Sequence, residues 1–295
     1  MEFTTRPLTL SMKTEIDALR AANGHRSASH AFASLYCWQR EMGLSVLLRE
    51  GVFAVRCLRR GENVWFFPCG ERRAVRELVG ALLEIGELRL CYLREEDKVF
   101  LEREFAGRFR FTAREDDAEY LYDRRAQAAL AGKDFLAARK YIHRLEAGHE
   151  VTSEPLGEEN LAEAAALVAG WRSRSEGTAG LADTDASATL LRCRRELDVT
   201  GVLVRVDGAP GAVMAGFPLG GGMFDLALGK QRCFLTGTAE YARRAFCAAL
   251  PEMYTLVNGE EDLGIEGLRR VKRKMRPVGW MMMYEGRATA VDGRG

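Results

Sequence analysis

The chain has 295 residues, of which 47% are hydrophobic and 29% charged, and its formal net charge is +1. That balance excludes a disordered chain and fits one large domain or two of about 150 residues. Near-neutrality excludes a globally cationic partner surface, so any anion site has to be a local cluster.

Residues 14–22 and 28–38 predict two helices. Three strands follow at 43–50, 52–58 and 63–68, with turns at Glu50-Gly51 and Arg60-Gly61. Residues 71–86 predict an amphipathic helix with Val75, Leu78, Val79, Leu82 and Leu83 on one face. A strand at 88–93, a helix at 95–105 and two short strands, RFRFT and EYLYD, close the first half. The second half repeats the order. Helices are expected at 159–171 and 186–197, separated by the polar loop RSRSEGTAGLADTD. Strands at 200–206, 211–219 and 223–229 are joined by turns at Asp207-Gly208-Ala209-Pro210 and Gly220-Gly221-Gly222, which predicts antiparallel hairpins. A helix at 236–250 ends at Pro251, and strands at 253–258 and 278–286 flank a last helix. Met281-Met282-Met283 in the final strand reads as core filler, with a soft ligand wall as the alternative.

The same order occurring twice predicts an α/β (α+β) chain of tandem modules. The first spans 1–130, a linker helix 131–150, and the second 151–295. A mixed sheet entered by two helices, with a strand-to-helix step after the fourth strand, resembles the GNAT acyltransferase fold. Each module is then a mixed, mostly antiparallel sheet flanked by helices. That resemblance implies that amides at the start of the central helix hold the pyrophosphate of coenzyme A. The matching position here is Leu235-Thr236-Gly237-Thr238, which makes Gly237 the candidate contact, but it has one glycine in place of a glycine-rich run. In the first module Pro68-Cys69-Gly70-Glu71 puts a carboxylate where a phosphate would sit.

The most informative segment is NGEEDLGIEGLRRVKRKMRP, 258–277. Asn258-Gly259 reads as a turn leaving a strand, since both residue types tolerate positive φ. Glu260, Glu261 and Asp262 fall where a helix N-terminus favours acids, and six cations from Arg269 to Arg276 fall where its C-terminus favours bases. Leu268, Val271 and Met275 share one helical face, and Pro277 stops the helix.

This segment, with SHAFASLYCWQREMGL (29–44), WFFPCG (65–70) and YLYDRRAQAALAGKDFLAARKYIHRL (120–145), resembles the DUF2156 family, also called the phosphatidylglycerol lysyltransferase C-terminal domain. The resemblance covers nearly the whole chain. It implies two tandem GNAT-like modules related to the Fem aminoacyltransferases, and transfer of an aminoacyl group from charged tRNA to an amine or hydroxyl. In membrane-bound relatives the acceptor is a phosphatidylglycerol hydroxyl. The family's linker motif resembles Gly-Lys-x-Tyr-x-x-Lys-Arg-Asn-x-Ile. Gly132, Lys133, Arg139 and Ile142 match it, and Ala138 and Lys140 depart from it. The late motif resembles Asn-Arg-Glu-x-Asp-Leu-Gly. Asn258, Glu260, Asp262, Leu263 and Gly264 match, and Gly259 replaces the arginine. Relatives often carry a carboxylate before a lysine at the end of the 223–229 strand, and here Gly229 precedes Lys230.

The candidate catalytic residues are therefore Asp262, Lys230 and Glu261. Either acid could take the nucleophile's proton, and Lys230 could offset charge on the acyl oxygen. The candidate ligand-binding residues are Lys133, Arg139, Asn258, Gly264, Gly237 and Lys272. The ordinary alternatives are helix-terminal acids, a solvated basic face and a strand-end lysine. The expected donor is aminoacyl-tRNA or a coenzyme A thioester, with no resident cofactor required. Expected partners are tRNA, an anionic membrane met peripherally, and a small-molecule, peptide or lipid acceptor. An acetyl-coenzyme A N-acetyltransferase and a silent binding module stand beside the aminoacyltransferase reading.

Seven widely spaced cysteines without a CxxC, and four histidines without ligand spacing, argue against zinc and for reduced thiols. His143 and His149 read as surface residues. The start, MEFTTRPLTL, has no apolar run after a basic residue, and no stretch approaches about 18 apolar residues. A cytoplasmic chain without signal peptide or membrane span is expected.

Overall fold

A computed structural model of the chain describes residues 3–59, 62–172, 178–232 and 235–289. They form two compact units, each drawn from separated stretches. The first takes the described residues of 1–119, 261–269 and 280–295, and the second those of 120–260 and 270–279. The first unit opens with α1 (Lys13–Ala22) and α2 (Phe32–Trp38). Next come β1 (Ser45–Arg49), β2 (Val52–Arg59), β3 (Glu62–Phe66) and β4 (Cys69–Gly70), then α3 (Arg72–Leu83), β5 (Arg89–Leu93) and α4 (Glu95–Glu104). Strand β6 (Phe109–Asp123) carries the chain into the second unit.

There α5 (Arg124–Ala129) and α6 (Leu136–Gly148) precede β7 (Val151–Pro155), α7 (Leu161–Arg172) and α8 (Thr178–Arg192). Five strands follow: β8 (Thr200–Val206), β9 (Ala209–Gly216), β10 (Pro218–Gly220), β11 (Met223–Asp225) and β12 (Leu228–Gln231). The chain ends with α9 (Thr238–Ala249), β13 (Leu256–Asn258), α10 (Glu266–Lys274) and β14 (Gly279–Ala288). The first unit claims α10 as far as Arg269 and β14 from Trp280 onward.

In the first unit the strand order is β1-β2-β3-β5-β14-β6. The β3–β5 pair is parallel, and β1–β2, β2–β3 and β5–β14 are antiparallel. Helix α3 packs by its apolar stripe: Val75, Leu78, Val79 and Leu82 join Leu90, Phe100 and Leu101 in one core. Burying each such side chain is worth about 1.5–3 kcal/mol. In the second unit the end of β6 begins the order β6-β13-β11-β10, and a separate antiparallel sheet runs β12-β9-β8-β7. Among the described residues no helix is long and apolar enough to cross a membrane.

Several elements differ from the sequence expectation. RFRFT and EYLYD belong to one strand, β6, and not to two. The charged stretch between them, Ala113–Ala118, reads as a loop by propensity, but strand pairing keeps it extended. The polar loop expected to 185 ends earlier, because α8 begins at Thr178, and residues 173–177 lie outside the described residues. The Arg60-Gly61 turn lies outside them as well. The strands expected at 211–219 and 223–229 each divide, since β9 and β12 pair in one sheet and β10 and β11 in the other. Gly216 permits the change of sheet: a Cβ there would sit 1.8 Å from the carbonyl oxygen of Asp225. The linker helix expected at 131–150 is a 3-10 turn at Lys133–Phe135 followed by α6, and the short α5 precedes it.

The first unit buries two imidazoles. His25 and His30 have ring centroids 4.2 Å apart. His30 Nε2 donates to the Phe67 carbonyl at 2.8 Å, so its Nδ1 accepts, with the Ser29 hydroxyl 3.1 Å away. The carboxylate of Glu119 holds the turn by accepting from the amides of Ala28 and Ser29. Burial holds both rings neutral: His30 is pushed down to about 3, and His25 well below the ordinary range, with His30, Arg94 and Arg20 adding to the effect. The unfolded chain takes up these protons near pH 6.5, whereas the fold holds His30 neutral down to about 3 and His25 well below the ordinary range. Their contribution is therefore complete above pH 6.5 and is lost as pH falls below it, for His30 by up to about 1.4 kcal/mol per pH unit down to about 3. Melting temperature should fall between pH 7 and pH 5, and His25→Phe should flatten that fall. Parallel wild-type and variant profiles would contradict this assignment.

Candidate functional site

The segment 258–277 carries buried or ion-paired polar side chains, Asn258, Asp262, Arg269 and Lys272 among them. In the second unit, Asn258 is the last residue of β13, fully buried and in register with Leu121 of β6. Its Oδ1 accepts the amide of Glu260 at 2.8 Å, which closes a side-chain turn. The positive φ of this turn falls on Glu260 (57°), not on Asn258 or Gly259 as the sequence suggested. Gly259 is needed for space: a Cβ there would lie 2.6 Å from the Tyr122 ring. Its amide donates to the Tyr120 carbonyl at 2.8 Å. Its carbonyl accepts from the ammonium of Lys272. Lys272 is itself buried, 5.9 Å from the centre of the Tyr120 ring, and its carbonyl accepts the Tyr122 hydroxyl at 2.9 Å. Burial raises the Tyr122 hydroxyl above its ordinary range, so it acts as a donor.

In the first unit, Asp262 is 1% exposed. Arg269 grips it through Nε–Oδ2 at 2.8 Å and Nη2–Oδ1 at 2.9 Å, and the Gly264 amide donates to Oδ1 at 2.9 Å. Arg269 also donates to Asp116 at 2.7 Å, and these two carboxylates raise its pKa further. Gly264 has φ of 72°, and a Cβ on it would meet the Asp116 carboxylate at 3.0 Å. The acids are not helix-terminal acids, because α10 starts only at Glu266. Both oxygens of Asp262 are committed to protein donors, a geometry that anchors the loop. Glu261, beside it, is half-buried.

The apolar face expected on α10 also differs. Val271 is 54% exposed, and Lys272 takes the buried position. In the second unit the fold thus joins Asn258 with Lys272 through Gly259, and in the first it joins Asp262 with Gly264 directly through the Gly264 amide. It places the other candidates elsewhere. Lys230, on β12, is buried with its ammonium 2.5 Å from Asp183 and 4.2 Å from the centre of the Trp171 ring. Arg139 donates to the carbonyls of Leu130 and Gly132, closing the end of α5. Lys133 is exposed at the 3-10 turn. Gly237, at the start of α9, is buried under α6, where a Cβ would approach the Tyr141 carbonyl oxygen to 2.3 Å. His149, expected at the surface, lies 2.7 Å from Asp207 and is partly exposed. Among the described residues no group of three His, Cys, Asp or Glu could hold a metal ion.

Sequence reasoning missed Tyr120, Tyr122, Asp116, Asp183 and Trp171. The two tyrosines had a signal, since alternate residues of a strand share a face. Asp116 had none, because its stretch reads as a loop.

The chain consists of two mixed α/β units with these strand orders, and solved structures share the fold. A conserved protein of unknown function from Bacteroides thetaiotaomicron matches with a TM-score of 0.88 at 24% identity, over 98% of this chain and 100% of that one. L-PGS from Bacillus licheniformis matches at 0.65 and 16% identity, over 100% and 95%. FemX matches at 0.55 and 11% identity, over 97% of each chain. No curated protein matches the sequence. The family described as phosphatidylglycerol lysyltransferase, C-terminal, matches residues 20–284, and the chain belongs to it.

The contact of Gly259 with the Tyr122 ring gives a direct test. Gly259→Ala should destabilise the chain by about 1–3 kcal/mol, the usual cost of overpacking. Adding Tyr122→Leu should recover part of that loss. Equal melting temperatures for wild type and Gly259→Ala would contradict the packing described.

Proposed function

We propose that the chain transfers an aminoacyl group from aminoacyl-tRNA to a hydroxyl or amine acceptor. The observation that carries this reading is membership of the phosphatidylglycerol lysyltransferase C-terminal family over residues 20–284. Lysyl-tRNA as donor and phosphatidylglycerol as acceptor are the first pair to try. In the reaction the acceptor's lone pair attacks the ester carbonyl, the bond to the ribose oxygen breaks, and the acceptor's proton ends on that oxygen. Charge accumulates on the carbonyl oxygen on the way, so fixed cationic donors favour the transition state.

Two buried lysines can supply such a donor. Lys272 is held at the Asn258–Glu260 turn. Lys230 is held by Asp183 and Trp171. In this reading Lys272 and Asn258 engage the substrate, with Lys230 as a second electrostatic group. In the first unit, Asp262 positions its own loop through Arg269 and the Gly264 amide. Lys133 and the α10 cations contribute to holding the polyanionic donor. Gly237 is a poor phosphate contact because α6 covers it, and this favours tRNA over coenzyme A as donor.

The test is transfer of labelled lysine from lysyl-tRNA to phosphatidylglycerol vesicles and to soluble amines. Turnover is expected with charged tRNA. Lys272→Met and Lys230→Met, assayed separately, should show which lysine serves the chemistry through a fall of about 10²–10³ in kcat. Turnover with acetyl-coenzyme A and none with any charged tRNA would replace this reading with acetyl transfer.

A further inference from the structure

The second unit buries two arginines that the chemistry above does not use. Arg124 opens α5 and Arg243 lies within α9, and these two helices pack together. Arg124 is 6% exposed. Its Nη1 donates to the carbonyls of Cys247 and Leu250 at 3.0 and 3.4 Å, and its Nε is buried without a hydrogen-bond partner. Arg243 is partly exposed, but its Nη1 is buried and has no partner either. Both guanidiniums bear on the buried thiol of Cys247, which sets them around one point. The other polar groups that bear on Arg243 are Tyr122 and Glu240. The Tyr122 hydroxyl is committed to the Lys272 carbonyl, and Glu240 faces the Lys274 ammonium at 3.8 Å.

A carbonyl accepts a hydrogen bond but leaves the charge in place. Among the described residues neither arginine is in an ion pair. Arg94 of the first unit, equally buried, has the Asp97 carboxylate at 2.8 Å. A guanidinium taken from water without a counter-charge is costly, and burial accordingly lowers that of Arg243 below its ordinary range. Two such groups around one thiol are a positive charge that the chain itself does not neutralise. We infer that the region between α5 and α9 around Cys247 binds a phosphate group, held by Arg124 and Arg243. A phosphate carries a charge of about −1.5 to −2 near neutral pH, which matches two guanidiniums, whereas a carboxylate leaves one of them uncompensated. Its tetrahedral oxygens can meet donors from two helices, and the guanidinium fork suits them. Arg124 is the fixed half of the site, held by its two carbonyls. Arg243, partly exposed, is the half that turns to admit the ion. The inference is independent of the acyl transfer proposed above.

The test is calorimetric titration of the full chain near neutral pH with inorganic phosphate, glycerol 1-phosphate and acetate, against sodium chloride at equal ionic strength. Saturable binding of phosphate is expected, with weaker binding of acetate and none of chloride. Tighter binding of the monoester would support a site for a phosphorylated ligand, and tighter binding of inorganic phosphate would support a site for the free ion. Arg243→Met should lower phosphate affinity by about 10–100-fold, the worth of a charge-assisted hydrogen bond. In phosphate-free buffer the same variant should melt no lower than the wild type, because an apolar chain of similar length replaces a buried charge that has no partner. A merely structural arginine would behave in the opposite way. Arg243→Lys, which keeps the charge and loses the fork, should bind phosphate with an affinity between the two. No saturable phosphate binding, a response matched by chloride, equal binding of acetate, or wild-type affinity in both Arg243 variants would overturn the inference.

Discussion

A carboxylate almost wholly removed from water must find its counter-charge, and Asp262 finds it in Arg269. Much of the 258–277 segment follows from this pair. The grip fixes where the polar loop ends and the helix begins, with Gly264 folded back so that its amide meets the same carboxylate. In the second unit, Lys272 is buried and reaches the Gly259 carbonyl, while Val271 is exposed.

Glycine has a separate role on each side of this segment. Gly259 gives the Tyr122 ring its space, and Gly264 combines a positive φ with a close carboxylate. Asn258 closes its turn through its own side chain. The buried histidines of the first unit show the opposite economy. They are held neutral in a serine-lined cluster, and this links the stability of that unit to acidity without contributing any exposed chemistry.

Much of the architecture was legible in the sequence because it rests on periodicity. The α3 stripe at Val75, Leu78, Val79 and Leu82 appears in the core as read. The repeated order of elements led to the tandem GNAT-like fold, and the late motif led to the family. What stayed hidden depends on long-range partners. Ala113–Ala118 is charged enough to read as a loop, but pairing holds it in β6. Val271 looked like a core residue because valine outranks lysine in hydrophobicity, and no sequence pattern announces that Gly259 offers Lys272 a carbonyl. Arg139 matched a family motif as a candidate ligand contact, whereas its position is set by the carbonyls at the end of α5.

The Asp262–Arg269 grip is tested most directly by a double-mutant cycle. Asp262→Asn, Arg269→Gln and the double variant would each be melted beside the wild type at the same pH and salt. Strong non-additivity is expected: once either partner is gone, loss of the other should change the melting temperature little. Additive effects of the two substitutions would show that the two side chains act independently and would contradict it.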